Sequence, residues 1–315
     1  MPFRFGRLAA IDPAERGRYR RAMTAPPHHA SRALAGLSDV APAYDALLCD
    51  VWGVIHNGRE SFPAACAALA RYRAELGPVV LISNSPRPHD QVIEQLDALG
   101  VPRGSWSEIV TSGDATRLLL AERAPGPAWL VGPDRDLPLY EGLGLEVSDL
   151  AGAKFISVTG PYDDETEEPR DYRDRFIEAA ARDLEMLCAN PDLVVQRGER
   201  LIYCGGALAQ LYESLGGRVL MAGKPYPIIY DLSLAKIAEA RGRPLDRRRV
   251  LCIGDGLPTD IRGANAQGLD VLFVASGIHG AETIQPDGAL NAPAVADLLR
   301  QAGLAANYAI ADLVW

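Results

Sequence analysis

The sequence predicts an α/β protein built on an open parallel sheet. Short apolar runs, among them Leu47–Asp50, Val79–Ile82, Val250–Ile253 and Leu269–Ala275, alternate with stretches of helical periodicity. Polar residues stand where those runs end, at Asp50, Ser83, Lys224 and Asp255. The stretch Leu47–Gly58, LLCDVWGVIHNG, places Gly53 just after Asp50, a turn that lets a ligand come close. Ligands of open parallel sheets bind at the carboxyl ends of the strands, so Asp50 is expected in the site.

Residues 1–44 hold seven arginines against three acids and read as a solvated N-terminal arm that leads into the core from about Ser38. The alternation begins at Asp45 with the strand ending at Asp50. Ala64–Leu76 then recurs at helical spacing, with Pro63 suited to its first turn and Gly77 to its end. Val79–Ile82 is the next strand and closes in Ser83, Asn84 and Ser85; a helix over about Asp90–Leu99 and a strand near Ile109–Thr111 follow. In the middle, Ala128–Gly132 and Lys154–Thr159 read as strands, and Tyr172–Leu187 as a helix followed by Asn190, Pro191 and Asp192. Asp163–Glu168, DDETEE, reads as a solvated loop or helix start, because clustered acids repel a phosphate. After Gly216 the pattern returns to the first sheet: Val219–Ala222, then Gly223, Lys224 and Pro225, a helix over Ile228–Ala240, and strands at Val250–Ile253 and Leu269–Ala275. The simplest arrangement is a discontinuous core, 45–124 and 216–315, with an inserted domain at 125–215. Tyr308–Trp315 is apolar enough for a last packed strand or an interface.

Composition narrows the partners. A formal net charge of -9 argues against nucleic acid, whose phosphates are bound by clustered basic residues. No apolar run approaches the roughly 18 residues of a membrane span. The five cysteines, Cys49, Cys66, Cys188, Cys204 and Cys252, are odd in number and lack a C-x-x-C pair. Cys49 and Cys252 lie in apolar runs as small core residues. The first residues lack the apolar segment of a secretory signal, which points to a reducing cytoplasm.

Leu47–Gly58 resembles the first motif of the haloacid dehalogenase-like hydrolases, and the later motifs resemble the subfamily with a type IIA cap. That subfamily includes nucleotide, sugar-phosphate and pyridoxal-phosphate phosphatases. Its opening, D-x-D-G-V-[IL]-x-x-G, is matched at Asp50, Gly53, Val54, Ile55 and Gly58, with Trp52 where the second acid is usual. Ser83, the stretch AGKPYPIIYDLSL around Lys224, and the pair Asp255 and Asp260 complete a four-motif pattern in order. The resemblance spans about 45–280 and implies a Rossmann-like parallel-sheet core with an inserted α/β type IIA cap domain.

It also implies a chemistry. A phosphoryl group carries charge that must be offset before a carboxylate nucleophile can approach. By the resemblance, Asp50 is the nucleophile and a metal ligand, Mg²⁺ bridges it to the phosphate, and Asp255 is the second carboxylate ligand. The backbone carbonyl of Trp52 is the third protein ligand, and Asp260 orients Lys224 or a metal-bound water. Lys224 holds the nucleophile and the phosphate as a point charge. Ser83 donates to a phosphate oxygen, with the backbone amides of Asn84 and Trp52 beside it. Asn190 either faces the substrate or builds a turn with Pro191 and Asp192. Gly205–Leu208, GGAL, resembles the segment returning to the core. A homodimer through the cap, common in the subfamily, is left open.

In the family's phosphatases the second aspartate protonates the leaving alcohol and then activates water. Trp52 can do neither, and that assistance is worth on the order of 10²- to 10⁴-fold. The expected activity is therefore Mg²⁺-dependent hydrolysis of a small phosphorylated metabolite through an aspartyl-phosphate, weak or restricted to good leaving groups. His56 is the nearest titratable replacement. The alternative is a phosphate- or nucleotide-binding module that has lost turnover. Metal-free hydrolysis of haloacids is a third reading, opposed by the retained Asp255 and Asp260.

Overall fold

A computed structural model describes residues 31–197 and 200–315. In chain order its strands are β1 (Arg32–Ala33), β2 (Ala46–Asp50), β3 (Val79–Ser83), β4 (Glu108–Thr111), β5 (Ala128–Val131), β6 (Val147–Ser148), β7 (Phe155–Val158), β8 (Glu185–Cys188), β9 (Val194–Arg197), β10 (Arg200–Tyr203), β11 (Arg218–Met221), β12 (Val250–Gly254), β13 (Asp270–Val274) and β14 (Tyr308–Ile310). The larger sheet has the order β1-β14-β13-β12-β2-β3-β4, with every neighbouring pair parallel. A second parallel sheet has the order β11-β8-β7-β5-β6, and β9 with β10 forms an antiparallel hairpin. The α/β class read from the sequence is the one observed.

The central strands are apolar without interruption because helices cover both faces of the sheet. All five residues of β2, of β3 and of β12 are buried. Side chains alternate across a strand, which sorts neighbours onto opposite faces. Ala46, Leu48, Val80 and Ile82 pack into one core, and Leu47, Cys49, Val79 and Leu81 into the other. The helix Pro63–Glu75 lays Ala65, Cys66, Leu69 and Tyr72 on the second core, and Tyr72 donates through its hydroxyl to the Tyr44 carbonyl at 2.9 Å. On the other face, the helix Pro227–Arg241 buries Ile229, Tyr230, Leu234 and Ile237, and Gly242 ends it with φ at 61°.

Three expectations are corrected, and one alternative is decided. Of the N-terminal arm, residues 1–30 lie outside the described residues, and residues 31–44 are part of the packed structure. Leu34, Leu37, Val40, Ala41 and Tyr44 are buried, and β1 extends the sheet beside β14. Of the two readings of Tyr308–Trp315, the structure shows the first, a packed strand and its continuation. The helix expected over Tyr172–Leu187 runs only over Arg173–Ala181; Asp183, with φ at 54°, turns the chain, and β8 follows. Finally, Val219–Ala222 does not rejoin the larger sheet. β11 pairs with β8, Val219 opposite Met186, so the smaller sheet extends beyond residue 216. An apolar run announces a strand but carries no record of which sheet will accept it.

Candidate active site

Parallel register sets the carboxyl ends of β2, β3 and β12 side by side, with Asp50 opposite Ile82 and Ile253 opposite Cys49. Asp50 and Ser83 close their strands there, and Asp255 follows β12 directly. Lys224 enters from the connection between β11 and the helix Pro227–Arg241. Its Nζ donates to Asp50 Oδ1 at 2.5 Å and to Asp260 Oδ1 at 2.8 Å. Asp260 lies on the wide turn Leu257–Ile261, and its Oδ2 accepts from the Gly256 amide at 3.1 Å. Asp255 Oδ2 accepts from the Ile278 amide at 2.8 Å. One carboxylate oxygen from each of Asp50, Asp255 and Asp260 lies within 4.8 Å of the others.

Gly53 explains itself in this setting. Its φ is 84°, and a Cβ there would stand 2.2 Å from Asp255 Oδ2, so a side chain would displace the carboxylate. The same turn is closed by Ile55 N donating to Val51 O at 3.0 Å and Gly53 N donating to His56 O at 2.8 Å. These bonds fix the backbone of Trp52 whatever its side chain. The indole nitrogen of Trp52 lies against Gly58, where a Cβ would approach it to 3.3 Å.

The electrostatics follow from three buried carboxylates and one buried ammonium. Burial alone would lower the Lys224 pKa, but the charges of Asp260 and Asp50 outweigh it and hold the ammonium above its usual value. Burial, and then the charge of Asp260, push the Asp50 carboxyl well above the ordinary range, with Lys224 opposing them. Asp255 is pushed up to about 6 by burial first and by Asp260 next. Ionised together, the three carboxylates would carry more negative charge than Lys224 can offset, and their donors are hard oxygens. Such a donor set suits a hard divalent cation.

Ser83 is buried, and its Oγ accepts from the Ser85 amide at 3.2 Å, which leaves the hydroxyl proton to donate. The Asn84 side chain clamps Lys224: Oδ1 accepts from Lys224 N at 2.7 Å, and Nδ2 donates to Lys224 O at 3.2 Å. Asn190 is held in a turn, its Oδ1 accepting from Asp192 N at 3.1 Å. The residue of that loop that reaches across is Asp192, whose Oδ1 accepts from Asn84 Nδ2 at 2.9 Å. Sequence reasoning singled out the loop and missed its acid. The Asn-Pro-Asp order marks a turn that fixes the backbone of Asp192, but nothing local points its carboxylate at Asn84.

His56, the nearest titratable candidate, is buried and hydrogen-bonded. It is 3% exposed, and its Nδ1 accepts from the Gly58 amide at 2.9 Å. Burial lowers its pKa to about 4, so the ring is neutral near pH 7. Because the folded value lies below the unfolded one, the stability tied to the neutral ring is fully present above about 6.5 and is lost as pH falls toward 4. Over that window it amounts to roughly 3 kcal/mol. Asp255, raised in the fold, contributes in the opposite sense. The diagnostic quantity is therefore the difference between the native protein and His56→Gln, measured by denaturant titration from pH 7 to pH 4. The native protein is expected to lose its advantage as pH falls; parallel curves would sink this assignment.

Residues 47–146 match the family described as haloacid dehalogenase-like hydrolase, and residues 221–302 match a family described as HAD-hydrolase-like. The chain is 30% identical over 252 residues to the D-glycerol 3-phosphate phosphatase of Mycobacterium tuberculosis, covering 78% of this chain and 67% of that protein. It is 24% identical over 245 residues to the acid sugar phosphatase of Staphylococcus saprophyticus, covering 77% and 90%. The crystal structure of a haloacid dehalogenase-like hydrolase from Brucella suis superposes with a TM-score of 0.79 at 44% identity, over 89% of this chain and 99% of that one.

Proposed function

The chain belongs to the haloacid dehalogenase-like hydrolases, and on that premise we propose that it is a phosphohydrolase of subfamily IIA acting on a small phosphorylated metabolite. The observation that carries this reading is the contact of Lys224 Nζ with both Asp50 and Asp260, with Asp255 completing the acidic cluster. An ammonium already seated on the carboxylate is placed to receive the phosphate that the carboxylate attacks. The activities named for the mycobacterial and staphylococcal relatives support a phosphate ester of a small polyol or sugar.

In this reading Asp50 attacks phosphorus in line, forming an aspartyl-phosphate as the ester P–O bond breaks and the leaving oxygen takes the electron pair. Lys224 balances charge on the nucleophile and the phosphoryl oxygens, and Ser83 donates its free proton to one of them. Water then attacks phosphorus, and the bond from phosphorus to Asp50 breaks to restore the carboxylate. Inorganic phosphate leaves, and solvent takes the proton of the water and supplies that of the departed alcohol. Asp50, Asp255 and the Trp52 carbonyl would hold Mg²⁺, while Asp260, with Oδ1 on Lys224 and Oδ2 on Gly256 N, serves to orient the lysine. Bound there, Mg²⁺ supplies positive charge against the phosphoryl oxygens. With Trp52 offering no proton, turnover is weak or restricted to good leaving groups. The unit built on the smaller sheet is the cap in this reading, its end lying after Met221. A cytoplasmic protein, not bound to nucleic acid or membrane, belongs to the same reading.

Phosphate release tests it directly. With Mg²⁺, the native protein is expected to hydrolyse p-nitrophenyl phosphate and one or more members of a panel of sugar and polyol phosphates. A rate no higher than that of Asp50→Asn on every substrate would overturn the hydrolytic reading. A second reading, phosphate binding without turnover, is favoured by one observation: the titratable side chain nearest Trp52 in sequence, His56, is committed to Gly58. Stabilisation by a phosphometabolite that is never consumed would select it.

Metal binding gives a separate expectation. A ligand that binds only the folded state stabilises it by about 2.7 kcal/mol at 100 times its Kd. Addition of Mg²⁺ is expected to raise the melting temperature, EDTA to reverse the rise, and Asp255→Asn to abolish it. Equal responses of the native protein and the variant would remove Asp255 from the ligand set.

A further inference from the structure

The loop after β8, Asn190–Asp192, belongs by sequence to the smaller sheet, yet it is bonded to the residue that clamps Lys224 in the larger one. Asn84 Nδ2 donates to Asp192 Oδ1 at 2.9 Å and to Lys224 O at 3.2 Å, while Asn84 Oδ1 accepts from Lys224 N at 2.7 Å. The amide is thus held at both ends, and its orientation cannot invert without exchanging donor for acceptor at every partner. The loop itself is fixed. Asn190 Oδ1 accepts from Asp192 N at 3.1 Å, and Gly206 N donates to Asp192 O at 3.1 Å from the start of the helix Gly205–Ser214.

Packing leaves little freedom. A Cβ on Gly223 would stand 2.5 Å from Asn84 Oδ1 and 2.7 Å from Pro191 Cδ, and one on Gly206 would stand 2.2 Å from Pro191 O. Gly223 and Gly206 therefore let the lysine segment, the asparagine and the loop meet. A surface loop that only turns the chain has no need of a carboxylate aimed into such a junction.

We propose that Asp192 is a positioning residue for Lys224, acting through Asn84, so that the loop of the smaller sheet sets where the lysine ammonium lies between Asp50 and Asp260. The chain of bonds is Asp192 to the Asn84 amide, the amide to the Lys224 backbone, and the Lys224 side chain to the two carboxylates. This rests on the reading of Asp50 and Lys224 as the hydrolytic machinery, and it adds a residue to that machinery which touches neither substrate nor metal.

The chain has only three lysines, Lys154, Lys224 and Lys236, so the Nζ signals of [¹⁵N]lysine-labelled protein can be assigned, that of Lys224 by its absence in Lys224→Met. Those signals and the steady-state hydrolysis of p-nitrophenyl phosphate with Mg²⁺ are compared in native protein, Asp192→Ala, Asp192→Asn, Asn84→Ala and the double alanine variant. Loss of such an outer partner typically costs about 10- to 100-fold. Asp192→Ala is expected to lower kcat by about that factor. KM is expected to stay within about twofold, because the ground-state contacts of the substrate are retained. It should also move the Lys224 signal and leave those of Lys154 and Lys236 in place. The double variant should be no slower than Asn84→Ala, since both changes cut one chain of bonds. Asp192→Asn keeps an acceptor oxygen and is expected to restore most of kcat, a rescue that a purely structural defect would not show. Native kcat and a native Lys224 signal in Asp192→Ala overturn the proposal, as does full additivity in the double variant. If Asp192→Ala fails to fold, Asp192→Leu, close in size to aspartate but without an acceptor oxygen, takes its place and is read by the same outcomes. A native protein no faster than Asp50→Asn on every substrate of the panel overturns the hydrolytic reading alone, because the signal of Lys224 reports the positioning without turnover.

Discussion

Asp50→Asn is expected to reduce phosphate release by at least about 10³-fold while leaving the protein folded, because an amide cannot form the acyl phosphate of the proposed reaction. The fold should survive for an electrostatic reason. Asp50 attracts Lys224 at 2.5 Å and repels Asp255 and Asp260, whose ligand oxygens lie within 4.8 Å. At an effective dielectric of about 20, the lost attraction is roughly 6–7 kcal/mol and each relieved repulsion is at least about 3 kcal/mol, so the repulsions offset most or all of the attraction. Lys224 keeps Asp260 at 2.8 Å, and the buried charge at position 50 disappears along with its desolvation cost. Without metal, the variant should melt at or above the native temperature. Undiminished hydrolysis by Asp50→Asn would place the nucleophile elsewhere.

The parts of this site that could be read from the sequence share one property: each is a distinctive residue type at a position that local pattern also marks. Asp50, Ser83 and Asp255 end or follow apolar runs that became β2, β3 and β12, and parallel pairing brings such ends together by necessity. Lys224 and Asp260 belong to loops, and their order in the motif pattern carried them. What could not be read depends on contacts between distant segments. The pairing of β11 with β8, and of β1 with β14, joins runs whose periodicity would suit either sheet. The bond from Asp192 to Asn84 spans 108 residues and two sheets, and no local signal encodes a partner that far away. His56 shows the converse case. Its type and proximity to Trp52 suggested proton transfer, whereas burial and the Gly58 amide leave it neutral and engaged.

Trp52→Asp is expected to raise the rate on alkyl phosphates by about 10²- to 10⁴-fold and to change p-nitrophenyl phosphate hydrolysis far less, because general acid assistance matters in proportion to the need of the leaving oxygen for a proton. An alkoxide is a poor leaving group unless protonated; a nitrophenolate departs unaided. The surroundings favour a clean experiment. The turn that holds position 52 is closed by backbone bonds, Gly53 N to His56 O at 2.8 Å and Ile55 N to Val51 O at 3.0 Å, so the carbonyl expected to meet the metal does not depend on the indole. What the substitution removes is the ring lying against Gly58; what it adds is a fourth carboxylate beside a cluster already rich in negative charge. The gain should therefore appear only with Mg²⁺ present, and the variant should melt lower than the native protein without it. If both substrates accelerate equally, position 52 acts on the breakdown of the acyl phosphate and not on the departure of the alcohol. If neither does, the tryptophan is not what limits the native site. If the native protein is silent and the variant turns over, the machinery of Asp50, Lys224 and Asp255 is intact in a protein whose own role is to bind a phosphorylated ligand and keep it.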